Sequence, residues 1–545
     1  MLVKHLCWLV FLLPLTNCIR GQNTSGAYSY TLDVNNITIT LDPDGSIAYG
    51  LYNPPLCNAP SSGHLSPLYG AWFWLTGVTS DHELRSCTPD WSNAATSLHR
   101  GPYNADADQL PATASELMYI PYTRVWKVSA SDIETHIARY SDPSYTMPEA
   151  ILYWPGNGDT ALGFPEQIAP FGDVNSNAVY EPHLGDHPLI KGDAAIYGIY
   201  HDRSTLTTPE FAAMDLEVHV MLYAFNSPDI EAMHNTIFAD FTVFNRGSFT
   251  YDTLMAGLFA DYALGAYDDD FCGSDSTLNL IYTYNADPTD GPSPAAYSSL
   301  PAFGVQTLSH NMFAHRALFN NNDPLGYPST TLEFHRALLG LFTDGMPMTA
   351  EHSGYNPGAS NFTKYLFHDH PADTTGWNEV MAGNEGSDRR AVASIQESNF
   401  RPGDRKCFTY ALTFADADIP FHTTASVDLL RTYANTIPLI WRDAQLDSCL
   451  QSTQYQIPAT STEKSFGIYP NPSNGIFTLQ TEAEVGTIIQ VSLWNSLGQR
   501  IHSTELTNAS DNEQHTLNYQ NTLPGIYYLL CHIYDHTVVI PIAIQ

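Results

Sequence analysis

The chain predicts a mainly β, multi-domain protein: a β-sandwich-like passenger with a few short helices, followed by a small C-terminal sandwich. Three observations predict it. The composition is 43% hydrophobic and includes 32 Tyr and 25 Phe, which suits globular, β-rich structure. Short runs alternating apolar with polar residues recur between turn formers, most regularly over residues 466–545. Between those runs lie long passages dense in Gly, Pro, Asn and Asp, and helical spacing appears in only three places.

The start of the chain reads as a signal peptide over residues 1–21. Lys4 supplies the positive flank and residues 6–15 form an apolar run too short to span a bilayer, so the mature chain is expected to begin near Gln22. Residues 15–18 also read as a loose lipobox with Cys18 acylated, against which the large Asn17 stands. No other stretch is suited to a transmembrane span. Residues 22–150 are expected to form a β-rich region with one helix. It opens with alternating residues broken by the turn Asp42-Pro43-Asp44-Gly45, and "LYGAWFWLTGV" is an apolar strand that must be covered on both faces. Residues 88–116 read as a surface excursion. In "SASDIETHIARY", Ser129 or Ser131 caps a helix with Ile133, Ile137 and Ala138 on one side and Glu134 completing a capping box with Ser131.

Residues 151–450 are expected to form the central passenger. After a loop-rich passage to 193, three strands at 216–225, 237–245 and 254–263 read as a meander with one buried face. Residues 268–301 read as loop. A helix follows with Leu332, His335, Leu339 and Phe342 on one face, then more loop over 354–390, a pair of strands at 391–396 and 406–414, and a last amphipathic helix over 424–441. Residues 451–465 form a polar linker. Six cysteines follow the signal segment, and proximity in sequence favours Cys57–Cys87, then Cys407–Cys449, as disulfides; none has metal-site C-x-x-C spacing. Lys+Arg is 22 against Asp+Glu 57, and the net charge of −35 argues against nucleic acid as a partner.

In the tail, Tyr469-Pro470-Asn471-Pro472 with Gly475 and Phe477, then Trp494-Asn495 and Gly498-Gln499, then Leu523-Pro524-Gly525-Ile526-Tyr527, resemble the type A C-terminal sorting domain of the type IX secretion system. The resemblance implies an immunoglobulin-like sandwich at 466–545, a Bacteroidota-type source, passage through the periplasm, and a secreted or outer-surface destination. It also implies two partners, the type IX machinery and a sortase-like protease. Tails of this kind usually end in a Lys-bearing strand, and "HTVVIPIAIQ" has none. The body is similar, through "AWFWLTG", "RVWKVSASDIETH", "MPEAILYWPGNGD", "GDHPLIKGD", "TVFNRGSFTYDT", "SGYNP" and "SDRRAV", to a large group of uncharacterised type IX cargo proteins of the same bacteria.

The leading site signal is a calcium loop. Asp173, Asn175 and Asn177 occupy positions 1, 3 and 5, the Val179 carbonyl position 7 and Glu181 position 9, with Asp186 close enough to swing in. Ala178 and Leu184 stand where an EF-hand-like loop carries Gly and a bidentate acid, and the family resemblance implies Asp and Gly where this chain has Asn177 and Ala178. The competing reading is an Asx-turn loop satisfying its own backbone. Asp261, Asp268–Asp270 and Asp275 form an acidic cluster that reads as a solvated loop or a cation site. His368 and His370 fall on one face of an extended segment, a weak zinc signal. No nucleophile elbow, phosphate loop or dinucleotide fingerprint is present in the sequence. The expected function is a non-enzymatic exported protein, adhesive or matrix-forming, with an extracellular glycan or protein as ligand. The alternative is a secreted polysaccharide hydrolase using acidic pairs drawn from Asp261, Asp269, Asp270 and Asp344.

Overall fold

The computed structural model describes residues 30–444 and 466–544, apart from 51–55, 64, 92–97, 105–117, 123, 204–210, 292–296, 320–323, 482–484, 496–499, 508–509, 511–512, 521, 523–524 and 534–535, together with 446, 449, 453 and 454. The signal-peptide reading, Cys18, the start near Gln22 and most of the linker lie outside the described residues.

Two antiparallel sheets face each other. The larger runs Asp270–Asp275, Leu280–Asn285, Ala302–Thr307, Arg405–Ala415, Thr236–Asn245, Leu216–Ala224, Ala194–His201 and His99–Arg100, with Trp126–Ser129 also pairing with Ala194–His201. The smaller runs Ala314–Leu318, Arg390–Phe400, Tyr251–Tyr262, Leu68–Thr79 and Leu84–Cys87. Phe73 of the smaller sheet stacks on Phe241 of the larger, ring centroids 4.1 Å apart, at the centre of the shared core. The apolar strand Leu68–Thr79 is covered on both faces, as its sequence requires. Phe73 and Leu75 enter the inter-sheet core, while Trp72 and Trp74 pack outward with Phe334 of the helix Thr331–Leu338. The helix Ala425–Asp443 covers part of the larger sheet's outer face, placing Leu430, Ile437 and Trp441 against it.

Several expectations are corrected. The strands Leu216–Ala224 and Thr236–Asn245 pair as a meander, but Tyr251–Tyr262 crosses into the other sheet. Leu216–Ala224 is buried throughout, not on one face only. The strands Arg390–Phe400 and Arg405–Ala415 likewise belong to opposite sheets. Both crossings are tied by one side chain: Asn245 Nδ2 donates to the carbonyls of Phe249 (2.8 Å) and Phe400 (3.1 Å). Two strands, Asp270–Asp275 and Leu280–Asn285, lie in the passage read as loop, their turn held by Asp275 accepting from Thr277 N. The helix Thr331–Leu338 buries Thr331, Phe334, Ala337 and Leu338, while Leu332 is 47% exposed. Its start at the Thr330 cap and its end before Gly340, at φ +75°, rotate the buried stripe away from the expected one. In the helix Ala130–Arg139 the cap is Ser129, whose hydroxyl accepts from Asp132 N and donates to the Asp132 carboxylate; the expected Ser131–Glu134 box is not used. Cys407 is bonded to Cys449, but Cys57 and Cys87 are separate buried thiols. Each is held in its own strand pairing, Cys57 opposite Ile39 and Cys87 opposite Leu75, so nearness in sequence does not bring them together.

The C-terminal strands form a second sandwich. Phe466–Tyr469, Ile476–Thr481 and Gln514–Asn518 make one sheet; Arg500–Thr507, Ile488–Asn495, Gly525–Ile533 and His536–Ile544 make the other. Phe477, Leu479, Val491, Leu493, Leu529 and Ile542 fill its core. The turn at Asn471–Gly475 reaches the last strand, where Asn471 Oδ1 accepts from Ala543 N at 2.9 Å and Ser473 N donates to the Ala543 carbonyl. Among the described residues no helix is long and apolar enough to cross a membrane.

Candidate functional site

The sequence-predicted acids are separated by the fold, and one of them lies in a pocket. Asp261 ends the strand Tyr251–Tyr262, where the register sets it between Gly70 and Arg390. Arg390 Nε lies 3.0 Å from the Asp261 carboxylate and its Nη2 donates to Asp388 at 2.8 Å, so one guanidinium joins two carboxylates. Around them Tyr69, Trp91, Tyr262 and Tyr267 line a cavity of about 220 Å³. Trp91 is 37% and Tyr267 52% exposed, which puts aromatic faces at the mouth. Trp91 is firmly seated, with Trp72, Phe259 and Tyr327 at 5.4, 5.9 and 5.0 Å and the Arg390 guanidinium 5.3 Å from its ring. Gly70 is required beside this stack because a Cβ there would stand 2.6 Å from the Trp72 ring. Burial pushes the Asp261 carboxyl up to about 7; Arg390 opposes that shift and the Asp388 charge adds to it. A carboxyl balanced near neutrality beside a second carboxylate is an arrangement able to donate and accept protons.

The other acids go elsewhere. Burial, with the charges of Asp290, Asp287 and Asp268, raises Asp269 to about 6. Asp270 is fully buried and is raised further by burial and by Asp269 and Asp290. Asp275 is ion-paired with Arg431 at 2.7 Å. Asp344 accepts from Met346 N and from the Tyr355 hydroxyl at the surface. The two imidazoles of the histidine cluster turn to different partners: His368 Nδ1 is 3.2 Å from the Tyr365 carbonyl, and His370 Nε2 is 3.0 Å from Asp428.

In the loop 173–186 the named oxygens are engaged locally. Asp173 accepts from Asn177 N and Ala178 N, Asn175 Oδ1 from Asn177 N, and Asn177 Oδ1 from Val179 N. Glu181 accepts from the side-chain amides of Asn175 and Asn177, and Asp186 accepts from Val174 N and Glu181 N. Ser176 and Ala178 adopt φ +60° and +65°, giving the sharp bend without glycine. Among the described residues no three His, Cys, Asp or Glu side chains stand at metal-ligand spacing.

The sandwich built from residues 466–544 settles the export question when it is compared with known families. Residues 467–545 match the family model of the secretion system C-terminal sorting domain. The chain is therefore an export product, secreted or held at the cell surface, whose tail engages the type IX secretion machinery. No curated protein matches the chain. Among solved structures, a "Putative aldose 1-epimerase" of Escherichia coli K12 aligns over 71% of this chain and 98% of its own, at 9% identity and a TM-score of 0.24.

The sequence reading missed Trp91, Asp388 and Arg390 as site residues. The string "SDRRAV" carries the last two and was the available signal. It also missed Glu217 and His219, the two polar residues in the otherwise apolar strand "LEVHVMLYA".

Proposed function

We propose that the exported passenger is a saccharide-binding, adhesive surface protein, and that the pocket at Asp261 is its recognition site. The observation that carries this reading is the pairing of exposed Trp91 and Tyr267 faces with the Asp261–Arg390–Asp388 group below them. Aromatic faces suit the apolar C–H surface of a sugar ring, and ion-paired carboxylates and guanidinium offer fixed acceptors and donors to its hydroxyls. The cavity of about 220 Å³ falls below the roughly 300–1,000 Å³ of sites for drug-sized ligands, so it suits a single ring or a chain end. A glycan array probed with the mature chain and with Trp91→Ala tests this: capture of at least one glycan class by the wild type and its loss in the variant support it, and equal capture by both refutes it. A polysaccharide hydrolase is the second reading, favoured by Asp261 sitting near neutrality beside Asp388. Release of reducing sugar that disappears in Asp261→Asn would establish it in place of simple binding.

The loop 173–186 is proposed as a calcium site, supported by its left-handed turn at Ser176 and Ala178 and by the concentration of Asp173, Glu181 and Asp186 in one loop. A fall in the passenger's melting temperature in excess chelator, absent in Asp173→Asn, is the expected result; an unchanged wild-type melt removes the site.

A further inference from the structure

The outer face of the larger sheet holds a second cavity, of about 200 Å³, away from the Asp261 pocket. It lies between the covering loop around Gln167–Pro170 and four neighbouring strands, which contribute Tyr197, His219, Asp240 and Arg405 among others. A chain of polar groups leads from it. Tyr197 Oη is 2.6 Å from His219 Nδ1, His219 Nε2 is 3.0 Å from Glu217 Oε1, and Arg246 Nη2 donates to that same oxygen at 2.6 Å. Glu217 Oε2 accepts from Tyr103 N at 2.8 Å. Tyr197 and His219 are 3% exposed and Glu217 is fully buried, so the hydrogen bonds are sheltered from water.

The chemistry of the chain fixes its polarity. Burial alone would raise the Glu217 carboxyl, but the hydrogen bond from His219 and the charge and hydrogen bond of Arg246 outweigh it and hold Glu217 below the usual carboxylate range. An ionised Glu217 can only accept, so the His219 proton belongs on Nε2 and Nδ1 is left to accept from the Tyr197 hydroxyl. This is the hydroxyl–imidazole–carboxylate order of a proton relay, with a phenol at its outer end. A buried polar network of this kind in a mainly apolar sheet face is costly unless its groups are paired, and here Tyr197, His219 and both Glu217 oxygens find partners. Trp154 packs 4.8 Å from the Tyr197 ring and Phe244 4.8 Å from His219, fixing both orientations.

The cavity's charged groups are unequal. Asp240 is ion-paired through Oδ2 with Lys191 at 2.6 Å, so its charge is matched, while its Oδ1 is buried with no hydrogen-bond partner among the described residues. Arg405 lines the same cavity, and among the described residues no carboxylate pairs with it. In a chain with 22 basic and 57 acidic residues, an unmatched guanidinium lining the same cavity as a sheltered hydroxyl is a distinct anion-recognition element.

We propose that this cavity binds a small carboxylate-bearing molecule of acidic-monosaccharide type, its carboxylate on Arg405 and a hydroxyl on Tyr197 Oη, with His219 and Glu217 fixing the proton on Tyr197. The site is independent of the Asp261 pocket. The test is calorimetric titration of the mature chain with sodium glucuronate and, as the uncharged counterpart, glucose. Wild type binds glucuronate at least tenfold tighter than glucose; Arg405→Gln abolishes that preference; Tyr197→Phe weakens glucuronate binding at least threefold while circular dichroism stays native; Trp91→Ala leaves it unchanged. Absence of glucuronate binding at millimolar concentration, or a preference that survives in Arg405→Gln, overturns the proposal. A loss confined to Trp91→Ala would assign the ligand to the Asp261 pocket and also overturn it.

Discussion

Breaking the Cys407–Cys449 disulfide gives a stability change whose size follows from the fold. Cys407 lies in Arg405–Ala415, a central strand of the larger sheet, and Cys449 follows the helix Ala425–Asp443 that packs on the same sheet. The bond closes a segment with a sequence separation of 42. In the chain-entropy description a loop of that length restricts the unfolded chain by about 13 cal/mol/K, or about 4 kcal/mol at 25 °C. For about 400 cooperatively unfolding residues at about 2.1 cal/mol/K each, this corresponds to a fall of about 5 °C in melting temperature. The assay is differential scanning calorimetry of the purified protein, of Cys407→Ser/Cys449→Ser, and of each with reductant. Wild type plus reductant and the double variant should melt together, about 5 °C below oxidised wild type. A double variant melting within 1 °C of wild type, or falling further when reductant is added, would refute the reasoning. The second outcome would mean that Cys57, Cys87, Cys272 or Cys531, all free and buried, takes part in another bond.

Three further outcomes are expected. Asn245→Ala leaves the Phe249 and Phe400 carbonyls without their shared donor at both sheet crossings, which should cost about 2–4 kcal/mol by urea denaturation; a change below 1 kcal/mol would show the crossings to be held otherwise. Ala178→Gly relieves a left-handed φ of +65° and should stabilise the passenger by about 0.5–1 kcal/mol, and a loss of stability would contradict the strain. For pH, Asp202 and Asp261 at about 7 and Asp269 at about 6 are raised above their unfolded value of 3.8, so they stabilise when protonated, fully so below 3.8, and that stability is lost as pH rises from there to 6–7. Glu217, at about 2 against 4.5, stabilises when ionised and loses that contribution as pH falls from 4.5 toward 2. Because His315 and His335, held by burial at about 3 and about 4, lose stability as pH falls below 6.5, the carboxyl contribution is read as a difference: the melting temperature of wild type relative to Asp261→Asn should fall as pH rises from about 4 to 7, and a difference independent of pH would contradict the Asp261 shift.

The sequence was most legible where one residue pattern answers to one local constraint. The tail's turn Asn471–Gly475 and the doubly covered strand Leu68–Thr79 both stand as read, because turn residues and continuous apolarity act locally. Sheet membership was not legible. Tyr251–Tyr262 and Arg390–Phe400 alternate like their neighbours, and the ladders that place both in the second sheet, like the Asn245 contact with the Phe400 carbonyl across 155 positions, are long-range pairings. The pocket was half legible for the same reason: Asp261 stood out as an acid at a strand end, but its pairing with Arg390 and its nearness to Trp91 depend on register and on a loop. Glu217 and His219 were visible as polar residues two apart in an apolar strand, a spacing that sets both on one face. Nothing in that strand names Tyr197 or Arg246 as their partners.

The central claim, that the exported passenger recognises saccharide through the aromatic pocket at Asp261, is tested most directly by calorimetry with the strongest uncharged array ligand. Wild type and Arg405→Gln should bind it alike, while Trp91→Ala binds at least tenfold more weakly, a loss of about 1.4 kcal/mol. Binding that is unaffected in Trp91→Ala would contradict the account.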